Sequence, residues 1–462
     1  MTTTVVIPYR LALEIERATR LELETGGVLL ATIFETPGKN LRLLVQDVKW
    51  VAEGTYVRRE PSALSVASEG YVHALGEAER QGAMAIWFHT HPGNEAIPLP
   101  SVHDDQVDRD LADLFRLRTG APFYGALIAS PRPHSLAFSG FIQSEASSPI
   151  PIDRFWVLGD QWRLVPAFAA QLAAPESIFD RNIRAFGPAI QHVLGALRVG
   201  VVGCGGTGSA VAEQLVRLGI RDITLVDADR LSLSNITRVY GSTPARVGDL
   251  KVDALGDHLV GIAPDLRCKK IASMVNLEGT ARQLSDCDLL FGCTDDNAGR
   301  LVLSRMATYL LTPVIDVGVL LSSGSDQNLK GIDGRVTVLE PEGACLVCRN
   351  RVDLARAAAE VLTPNERQAR ADEGYAPALP GVEPAVVAFT TAVAAAGVNE
   401  LLERLIGYGK RPRPTEVLLR LHEREMSTNT AHPKSGHYCH PDQGLIGRAN
   451  TVPFLGQAWP SP

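Results

Sequence analysis

The sequence predicts an α/β protein with two domains, the second of them built on a doubly wound sheet. At 462 residues the chain is too long for one ordinary hydrophobic core. Residues 179–430 alternate apolar strand segments with helical segments, as in sheets whose parallel strands are joined by helices. Within them, the apolar segment Val199–Val202 is followed by four closely spaced glycines and the helical segment Ser209–Leu218. This order is typical of a turn that binds phosphate at a helix N-terminus.

Residues 1–145 indicate a smaller α/β domain. Its predicted helices and strands are Leu11–Leu23, Gly27–Phe34, Leu41–Val48, Ala83–His89, His103–Arg118 and Phe123–Ala129. Residues 146–175 are expected to form a linker, because Ser144–Ile152 is rich in serine and proline. The second domain is expected at 176–440, and residues 441–462 are expected to form a poorly ordered, Gly- and Pro-rich tail.

The composition favours a globular protein and excludes some partners. Hydrophobic residues make up 45% and charged residues 21% of the chain. The net charge of −7 argues against nucleic-acid binding, which usually needs a basic surface. The most apolar helical segment, Ala385–Leu402, is interrupted by polar residues and indicates a buried or dimer-interface helix, not a membrane span. Seven cysteines without a disulfide pattern, and no secretory leader, predict a reduced, cytoplasmic protein.

The strand after the glycine-rich turn carries the next clue. The strand Ile223–Val226 is followed directly by Asp227. A carboxylate at this distance along the chain from the glycine-rich turn is typical of one that binds a ribose. The run Ser234-Asn235-Ile236-Thr237-Arg238 and Lys251 follow. These polar and basic side chains exceed what a dinucleotide needs and suit the charge of a triphosphate. An NAD-binding domain is the alternative, but it leaves these residues and their spacings unexplained.

This constellation resembles the ThiF/MoeB family and the adenylating domain of ubiquitin-activating enzymes. The family pattern is G-x-G-G-x-G-S, D-x-D, S-N-L-x-R, a lysine and T-D-N, and the matching segments are Gly203–Ser209, Asp227–Asp229, Ser234–Arg238, Lys251 and Thr294–Asn297. The resemblance implies a Rossmann-like fold that uses ATP and Mg²⁺ to adenylate the C-terminal glycine of a ubiquitin-like or sulfur-carrier protein.

The same resemblance assigns roles to individual residues. It implies that the glycines let the backbone approach the nucleotide, that Asp227 binds the ribose, and that Asn235, Arg238 and Lys251 hold the phosphates. It implies that Asp295 binds magnesium. Because Asp296 is adjacent, which of the two carboxylates faces the metal is left open. Arg181 matches an arginine that reaches into a neighbouring subunit, which implies a homodimer. The glycines are Gly203, Gly205, Gly206 and Gly208.

A cysteine pair in the second domain suggests a structural zinc. Cys345 and Cys348 form a C-x-x-C, which in the family joins a second pair near the C-terminus. Here the second pair falls in His437-Tyr438-Cys439-His440. Cys439 with one of the two histidines completes a tetrahedral set. The alternatives are both histidines without Cys439, or two buried thiols beside a surface histidine cluster.

The first domain carries a separate metal-ligating pattern. His89 and His91 leave the end of a strand on the same side, and Asp104 supplies a third ligand. Three protein ligands leave a coordination position for water, which a zinc ion acidifies. A general base must still move the proton, and Glu24 is the candidate.

These residues resemble the JAB/MPN (JAMM) metalloproteases, which carry a glutamate before a glycine-rich strand, then H-x-H-P and S-x-x-D. The resemblance implies that His89, His91 and Asp104 hold catalytic zinc, that Glu24 is the acid/base and that Ser101 stabilises the oxyanion. The twelve residues between His91 and Asp104 are slightly more than the family pattern has. The alternative is a metal-free pseudo-enzyme.

Together the two resemblances predict a bifunctional enzyme acting on one Gly-Gly terminus, cleaving after it and adenylating it. Arg349–Pro380 contains no cysteine for a thioester, so the reaction is expected to stop at the acyl-adenylate. A sulfur donor or a conjugating enzyme would then attack it. The alternative from another class is a non-catalytic scaffold that binds ubiquitin-like tails with one or both sites inactive.

Overall fold

The chain, seen in a computed structural model, forms two units with a β-sheet in each. The first unit is Met1–Leu172 with Gly447–Asn450, and the second is Ala173–Ile446 with Thr451–Pro462. The structure describes residues 1–93, 97–133, 135–168, 176–323, 329–362 and 385–460, with the side chain of Ser323 excepted.

The first unit is a mixed sheet with helices on both faces. Its described strands are β1 (Thr3–Pro8), β2 (Gly26–Glu35), β3 (Leu41–Trp50), β4 (Tyr56–Glu60), β5 (Ala63–Val66), β6 (Met84–Thr90), β7 (Phe123–Arg132), β8 (Ser135–Ser144), β9 (Ile150–Pro151), β10 (Arg154–Leu158) and β11 (Arg163–Pro166). Its described helices are α1 (Tyr9–Ala18), α2 (Glu69–Gln81) and α3 (Val102–Thr119). The sheet order is β11-β10-β1-β3-β2-β6-β7-β8-β9, and β4 and β5 form a separate hairpin.

Strand β6 shows how the sheet separates two hydrophobic layers. Its side chains alternate, so Met84, Ile86 and Phe88 join the cluster that includes residues of α1. Ala85 and Trp87 join the opposite cluster, with residues of α2 and α3. Period-two alternation therefore aims the residue after Phe88 toward the α3 side of the sheet.

The described residues beyond 145 contradict the expected linker at 146–175. β10 pairs in parallel with β1, from Thr4 opposite Arg154 to Pro8 opposite Leu158, and β11 extends the same edge. The physical reason is the buried run Arg154–Leu158, whose Trp156 is fully inaccessible to solvent. The last part of the expected linker, 169–175, lies outside the described residues.

The second unit is a Rossmann-like doubly wound sheet extended by antiparallel strands. Its described strands are β12 (Arg198–Val202), β13 (Asp222–Val226), β14 (Arg267–Ile271), β15 (Leu289–Gly292), β16 (Val314–Ser323), β17 (Leu329–Leu339), β18 (Glu416–Arg420) and β19 (Glu425–Asn429). Their order is β14-β13-β12-β15-β16-β17-β18-β19. The first five are parallel neighbours, and β17 to β19 pair antiparallel. This order confirms the predicted fold class for the second domain.

Helices cover the second sheet. They are α4 (Asp180–Ala196), α5 (Gly206–Leu218), α6 (Lys251–Ile262), α7 (Glu278–Leu284), α8 (Asn297–Tyr309), α9 (Leu354–Glu360) and α10 (Val387–Ile406). The apolar α10 packs on α5, β16 and β17, in keeping with its predicted burial. Among the described helices, none is both long and apolar enough to cross a bilayer.

The C-terminal residues differ from the expected disordered tail. Phe454 and Leu455 are buried, and the backbone oxygen of Leu455 accepts a hydrogen bond from Arg305 at 2.9 Å. The guanidinium of Arg282 lies 4.0 Å from the centre of the Phe454 ring. Glycine and proline content predicted disorder, but these apolar side chains anchor the segment.

Candidate functional sites

The register of the first sheet brings the predicted metal-ligating residues together. Gly26 at the start of β2 pairs with His89 near the end of β6. Glu24, two residues before Gly26, therefore lies beside the end of β6. Alternation puts His89 on the same side as Trp87, which faces α3, the helix that carries Asp104.

The ligand atoms have the spacing of a zinc site. His89 Nε2 lies 3.3 Å from His91 Nε2 and 3.3 Å from Asp104 Oδ1, and His91 Nε2 lies 3.8 Å from Asp104 Oδ2. Ligand atoms around a tetrahedral zinc ion, with bonds of about 2.0–2.1 Å, are about 3.3–3.4 Å apart. Two of the three separations match this spacing and the third is about 0.4 Å longer, so a small shift of Asp104 or His91 would let the three side chains hold a zinc ion. Glu24 Oε1 lies 3.9 Å from His91 Nε2.

Neighbouring groups hold two of these ligands in place. His91 Nδ1 lies 3.1 Å from the carbonyl oxygen of Ile97, which leaves Nε2 for a metal. Ser101 caps α3: its amide donates to Asp104 Oδ2 at 2.7 Å, and its Oγ accepts from the amide of Asp104 at 3.2 Å. Ser101 thus orients Asp104, and its hydroxyl hydrogen is still available to donate to a substrate oxygen.

The two carboxylates of the site have opposite pKa shifts. Burial raises the pKa of Glu24 from 4.5 to about 7, although the field of His89 opposes the shift. Burial also acts to raise the pKa of Asp104, but hydrogen bonding to His89 and Ser101 outweighs it and holds that pKa well below its usual range. The environments of these two neighbouring carboxyl groups thus shift their pKa values in opposite directions, a pattern that is common at functional sites.

Sequence reasoning missed the hairpin that fixes Glu24. Arg59 of β4 donates to the carbonyl oxygen of Glu24 at 2.9 Å and to Thr25 Oγ1 at 2.9 Å. Its guanidinium also lies 4.5 Å from the ring centre of Tyr56, whose hydroxyl accepts from the Gly26 amide at 3.2 Å. No motif marks an arginine on a surface hairpin, so the contact emerges from the fold.

The cysteine cluster of the second unit selects one of the two histidines. Cys345 Sγ lies 3.2 Å from His437 Nδ1, His437 Nδ1 lies 3.5 Å from Cys439 Sγ, and Cys348 Sγ lies 3.6 Å from Cys439 Sγ. These four side chains form one ligand set, and His440 instead accepts a hydrogen bond from the amide of Asp442. Sulfur and nitrogen donors at these spacings fit a tetrahedral zinc ion.

A large cleft lies at the carboxyl ends of the parallel strands of the second sheet. Its volume is about 770 Å³, within the usual range for a small-molecule site. It lies where ligands bind in doubly wound sheets. The predicted residues that line it are Gly203, Gly205, Gly206, Asp227, Arg238, Lys251 and Asp295.

The glycine-rich turn is shaped by two close approaches. Gly203 has φ +90°, and a Cβ there would lie 2.6 Å from the carbonyl oxygen of Cys293. Gly208 does not line the cleft; a Cβ there would lie 1.7 Å from the carbonyl oxygen of Gly203. Its role is to let α5 pack against the turn. The first N–H groups of a helix have no partner within the helix, and the residues at the start of α5, Gly206 and Thr207, line the cleft together with Gly205.

Asp227 and Lys251 form the polar wall of the cleft. Asp227 Oδ2 accepts from the amide of Cys204 at 2.7 Å and lies 3.7 Å from Lys251 Nζ, which is 2.6 Å from Asp229 Oδ2. Burial raises the pKa of Asp227, and Lys251 opposes the shift. Burial would lower the pKa of Lys251, but Asp227 and Asp229 outweigh it and raise that pKa. Lys251 is therefore a persistent cation at the cleft.

The two aspartates of the Thr294–Asn297 turn differ in use. Asp296 caps α8, because its Oδ2 accepts from the amide of Gly299 at 2.5 Å, and its Oδ1 contacts the hydroxyl of Thr294. Asp295 is exposed at the cleft, and no hydrogen bond or ion pair is recorded for it within the described part of the chain. Of the two carboxylates, that of Asp296 is thus engaged by the helix and that of Asp295 faces the cleft.

Two predicted residues lie outside the cleft. Asn235 is buried, and its Oδ1 accepts from the amide of Ser232 at 3.0 Å in a capping box. This contact uses Oδ1 and not Nδ2, the donor that a phosphate would need, so the assignment of Asn235 to the phosphates stays a prediction. Arg181 is exposed near the start of α4, apart from the residues that line the cleft of its own chain.

Four arginines that sequence reasoning missed also line the cleft: Arg300, Arg335, Arg351 and Arg356. Arg300 and Arg335 lie 3.4 and 3.3 Å from the buried carboxylate of Asp316. Their only sequence signal is a basic residue within a strand or helix, which usually indicates a solvated surface.

Comparison with known proteins decides the family of the second unit. The model of the ThiF family matches residues 179–440, more than half of the chain. The chain belongs to the ThiF family. It is 31% identical over 134 residues to molybdopterin-synthase adenylyltransferase of Escherichia coli, covering 29% of this chain and 54% of that protein.

Other relatives match the same family. The chain is 28% identical over 162 residues to ubiquitin-like modifier-activating enzyme 5 of Caenorhabditis elegans, covering 32% of this chain and 36% of that protein. It is 30% identical over 131 residues to adenylyltransferase and sulfurtransferase uba4 of Pyricularia oryzae, covering 28% and 27%. The chain thus spans about half the length of these relatives or less.

Proposed function

We propose that the second unit is an adenylyltransferase that uses ATP and Mg²⁺ to activate the C-terminal glycine of a ubiquitin-like or sulfur-carrier protein. The observation that carries this proposal is the cleft in which the glycine turn, Asp227, Lys251, Arg238 and Asp295 meet. Family membership supports it, and the names of the E. coli and C. elegans relatives supply the reaction and the substrate class.

Different residues of the cleft are proposed to bind the phosphates, the ribose and the magnesium ion. The N–H groups at the start of α5 and the side chains of Arg238 and Lys251 bind the phosphates and stabilise the charge that develops as pyrophosphate leaves. Asp227 accepts hydrogen bonds from the ribose hydroxyls, for which its raised pKa leaves it a strong acceptor. Asp295 is the proposed ligand of magnesium, which shares its remaining positions with phosphate oxygens and water.

The product is proposed to be the acyl-adenylate, without a thioester on this chain. Cys204 and Cys287 are buried, and burial raises the thiol pKa of Cys204, Cys268, Cys287 and Cys293. Such thiols are poor nucleophiles. Arg349–Pro380 has no cysteine, and its part beyond residue 362 lies outside the described residues. An external nucleophile, from a sulfur donor or a conjugating enzyme, completes the proposed reaction.

A second activity is proposed for the first unit: hydrolysis of the bond after the same diglycine terminus by a JAB/MPN-type centre. The supporting observation is the zinc-compatible set of His89, His91 and Asp104 beside Glu24. Lewis-acid activation of water is the chemistry that zinc supplies at such a site. Glu24 takes a proton from the attacking water and returns it to the leaving amine, and Ser101 donates to the developing oxyanion.

Further parts of the proposal concern assembly and location. We propose a homodimer in which Arg181 completes the cleft of the partner copy, and a structural zinc held by Cys345, Cys348, Cys439 and His437. A reducing, cytoplasmic location fits the lack of any disulfide among the seven cysteines, all of which are described. Holding both activities on one chain raises the effective concentration of the shared substrate.

ATP–pyrophosphate exchange with a candidate carrier protein tests the adenylation proposal. Lys251→Ala is expected to abolish exchange and to spare cleavage of a carrier extended beyond its diglycine. Glu24→Gln is expected to do the reverse, so each variant is the control for the other. A scaffold without catalysis predicts that the wild-type protein binds the carrier but shows neither activity.

A further inference from the structure

The start of α8 receives a second carboxylate that neither motif contains. Glu360, the last residue of α9, accepts a hydrogen bond from the amide of Ala298 at 2.8 Å through Oε2. Its Oε1 accepts from Asn297 Nδ2 at 3.2 Å. Because Asp296 already satisfies the amide of Gly299, two carboxylates from different elements cap successive N–H groups of one helix.

Asn297, a residue of the cleft, is hydrogen-bonded through both the oxygen and the nitrogen of its side-chain amide. Asn297 lines the cleft, and its Oδ1 accepts from the backbone amide of Asp353 at 3.0 Å while its Nδ2 donates to Glu360. α9, which begins just after Asp353, is therefore fastened to the turn that carries Asp295 at two points. Glu360 itself does not line the cleft, so any effect on the nucleotide passes through this turn.

We propose that Glu360 is a positioning residue for the magnesium-binding turn: it fixes the start of α8 so that Asp295 faces the metal of the bound nucleotide. This inference rests on the proposed adenylation function and adds a residue outside the ThiF motifs. Asp296 fixes the turn from within, and Glu360 fixes it from α9. Without Glu360, the amide of Ala298 and the side chain of Asn297 lose a charged acceptor.

The test is nucleotide binding by the full chain, measured calorimetrically with ATP in excess Mg²⁺ and with ATP in EDTA. Glu360→Ala is expected to raise the Kd of ATP in Mg²⁺ by about tenfold, the lower end of what removal of an outer-shell partner costs a metal site. The Kd in EDTA is expected to stay within about twofold, because the glycine turn and Lys251 are untouched. Glu360→Gln keeps an acceptor for Ala298 and is expected to recover most of the loss.

The control is Glu278→Gln, which removes a surface carboxylate from the start of α7, outside the cleft. It is expected to bind as wild type in both buffers. Equal weakening of Glu360→Ala with and without Mg²⁺ would show a merely structural role and overturn the inference, as would no weakening at all. If the alanine variant does not fold, Glu360→Asp takes its place: its side chain is one methylene shorter and is expected not to reach Ala298 and Asn297 together, so it must raise the Kd in Mg²⁺ more than in EDTA. Wild-type protein that binds no ATP in either buffer would instead overturn the proposed function.

Discussion

Two glycines of the same turn predict opposite consequences of one added methyl group. At Gly208 a Cβ would lie 1.7 Å from the backbone oxygen of Gly203, half the 3.4 Å at which ordinary contact begins. At Gly205, apart from its chain neighbours, none of the described residues has an atom within 4 Å of such a Cβ, and φ is −74°. Gly205 lines the cleft, whereas Gly208 is packed behind it. Alanine at Gly208 should therefore damage the fold, and alanine at Gly205 should damage the ligand site.

The magnitudes follow from these distances. Overpacking costs about 1–3 kcal/mol, and Gly208→Ala should reach the upper end because its neighbour is backbone. At about 2–4 °C per kcal/mol, Tm should fall by roughly 6–12 °C. Gly205→Ala loses a little at the helix N-cap and gains a similar amount from a less flexible unfolded chain, so Tm should stay within about 2 °C. Its affinity for ATP should fall by about tenfold or more, because one charged hydrogen bond is worth about 1.5–3 kcal/mol.

Thermal unfolding and calorimetric ATP binding on the same samples separate the two effects. A Gly208→Ala protein with wild-type Tm would refute the close packing of α5 against the turn. A Gly205→Ala protein that keeps full ATP affinity would refute the assignment of the phosphates to this turn.

Three further outcomes are expected. In metal-free protein the raised pKa of Glu24 contributes stability below pH 4.5 that is lost as the pH rises through about 7, by up to about 3 kcal/mol; Glu24→Gln should lack this component in unfolding measured across that range. If both proposed zinc sites are occupied, Cys348→Ser should lower the zinc content measured by metal analysis by one equivalent and leave the equivalent proposed for the first unit unchanged. Asp288→Ala leaves the largely buried Arg198, now 3.1 Å from that carboxylate, without its partner, and should cost about 3–5 kcal/mol in denaturant unfolding.

Most of the site residues that the sequence could predict lie at the ends of strands. Asp227 follows a buried parallel strand, and His89 lies near the end of another. Side chains at such positions lie at the carboxyl edge of the sheet regardless of the conformation of the following loop. The glycine turn was equally predictable, because its spacing has a direct conformational meaning. The alternation of strand and helix segments in 179–430 predicted a doubly wound sheet, although not its strand order.

The remaining site residues depend on contacts that no local pattern encodes. Asn235 matched a motif, and Ser232 three residues earlier forms a capping box with its Oδ1, a signal that was present in the sequence but not used. The sequence could not choose between His437 and His440. In the structure His437 lies against the cysteines, whereas His440 accepts a hydrogen bond from the amide of Asp442. Arg59 reaches Glu24 from a hairpin, a contact set by tertiary packing and not by sequence distance.

The basic side of the cleft shows why such residues escape motif analysis. Arg300 and Arg335 are largely shielded from water, and two shielded cations need a counter-charge. Asp316, which is fully buried on β16, supplies the negative charge for these two arginines. Glu416 supplies the negative charge for Arg351, through hydrogen bonds of 3.0 and 2.9 Å. The carboxylates are themselves unremarkable strand residues until β16, β17 and β18 are placed side by side. A cleft able to take an anionic nucleotide thus depends on anions buried under it, which fix the arginines in position before any ligand arrives.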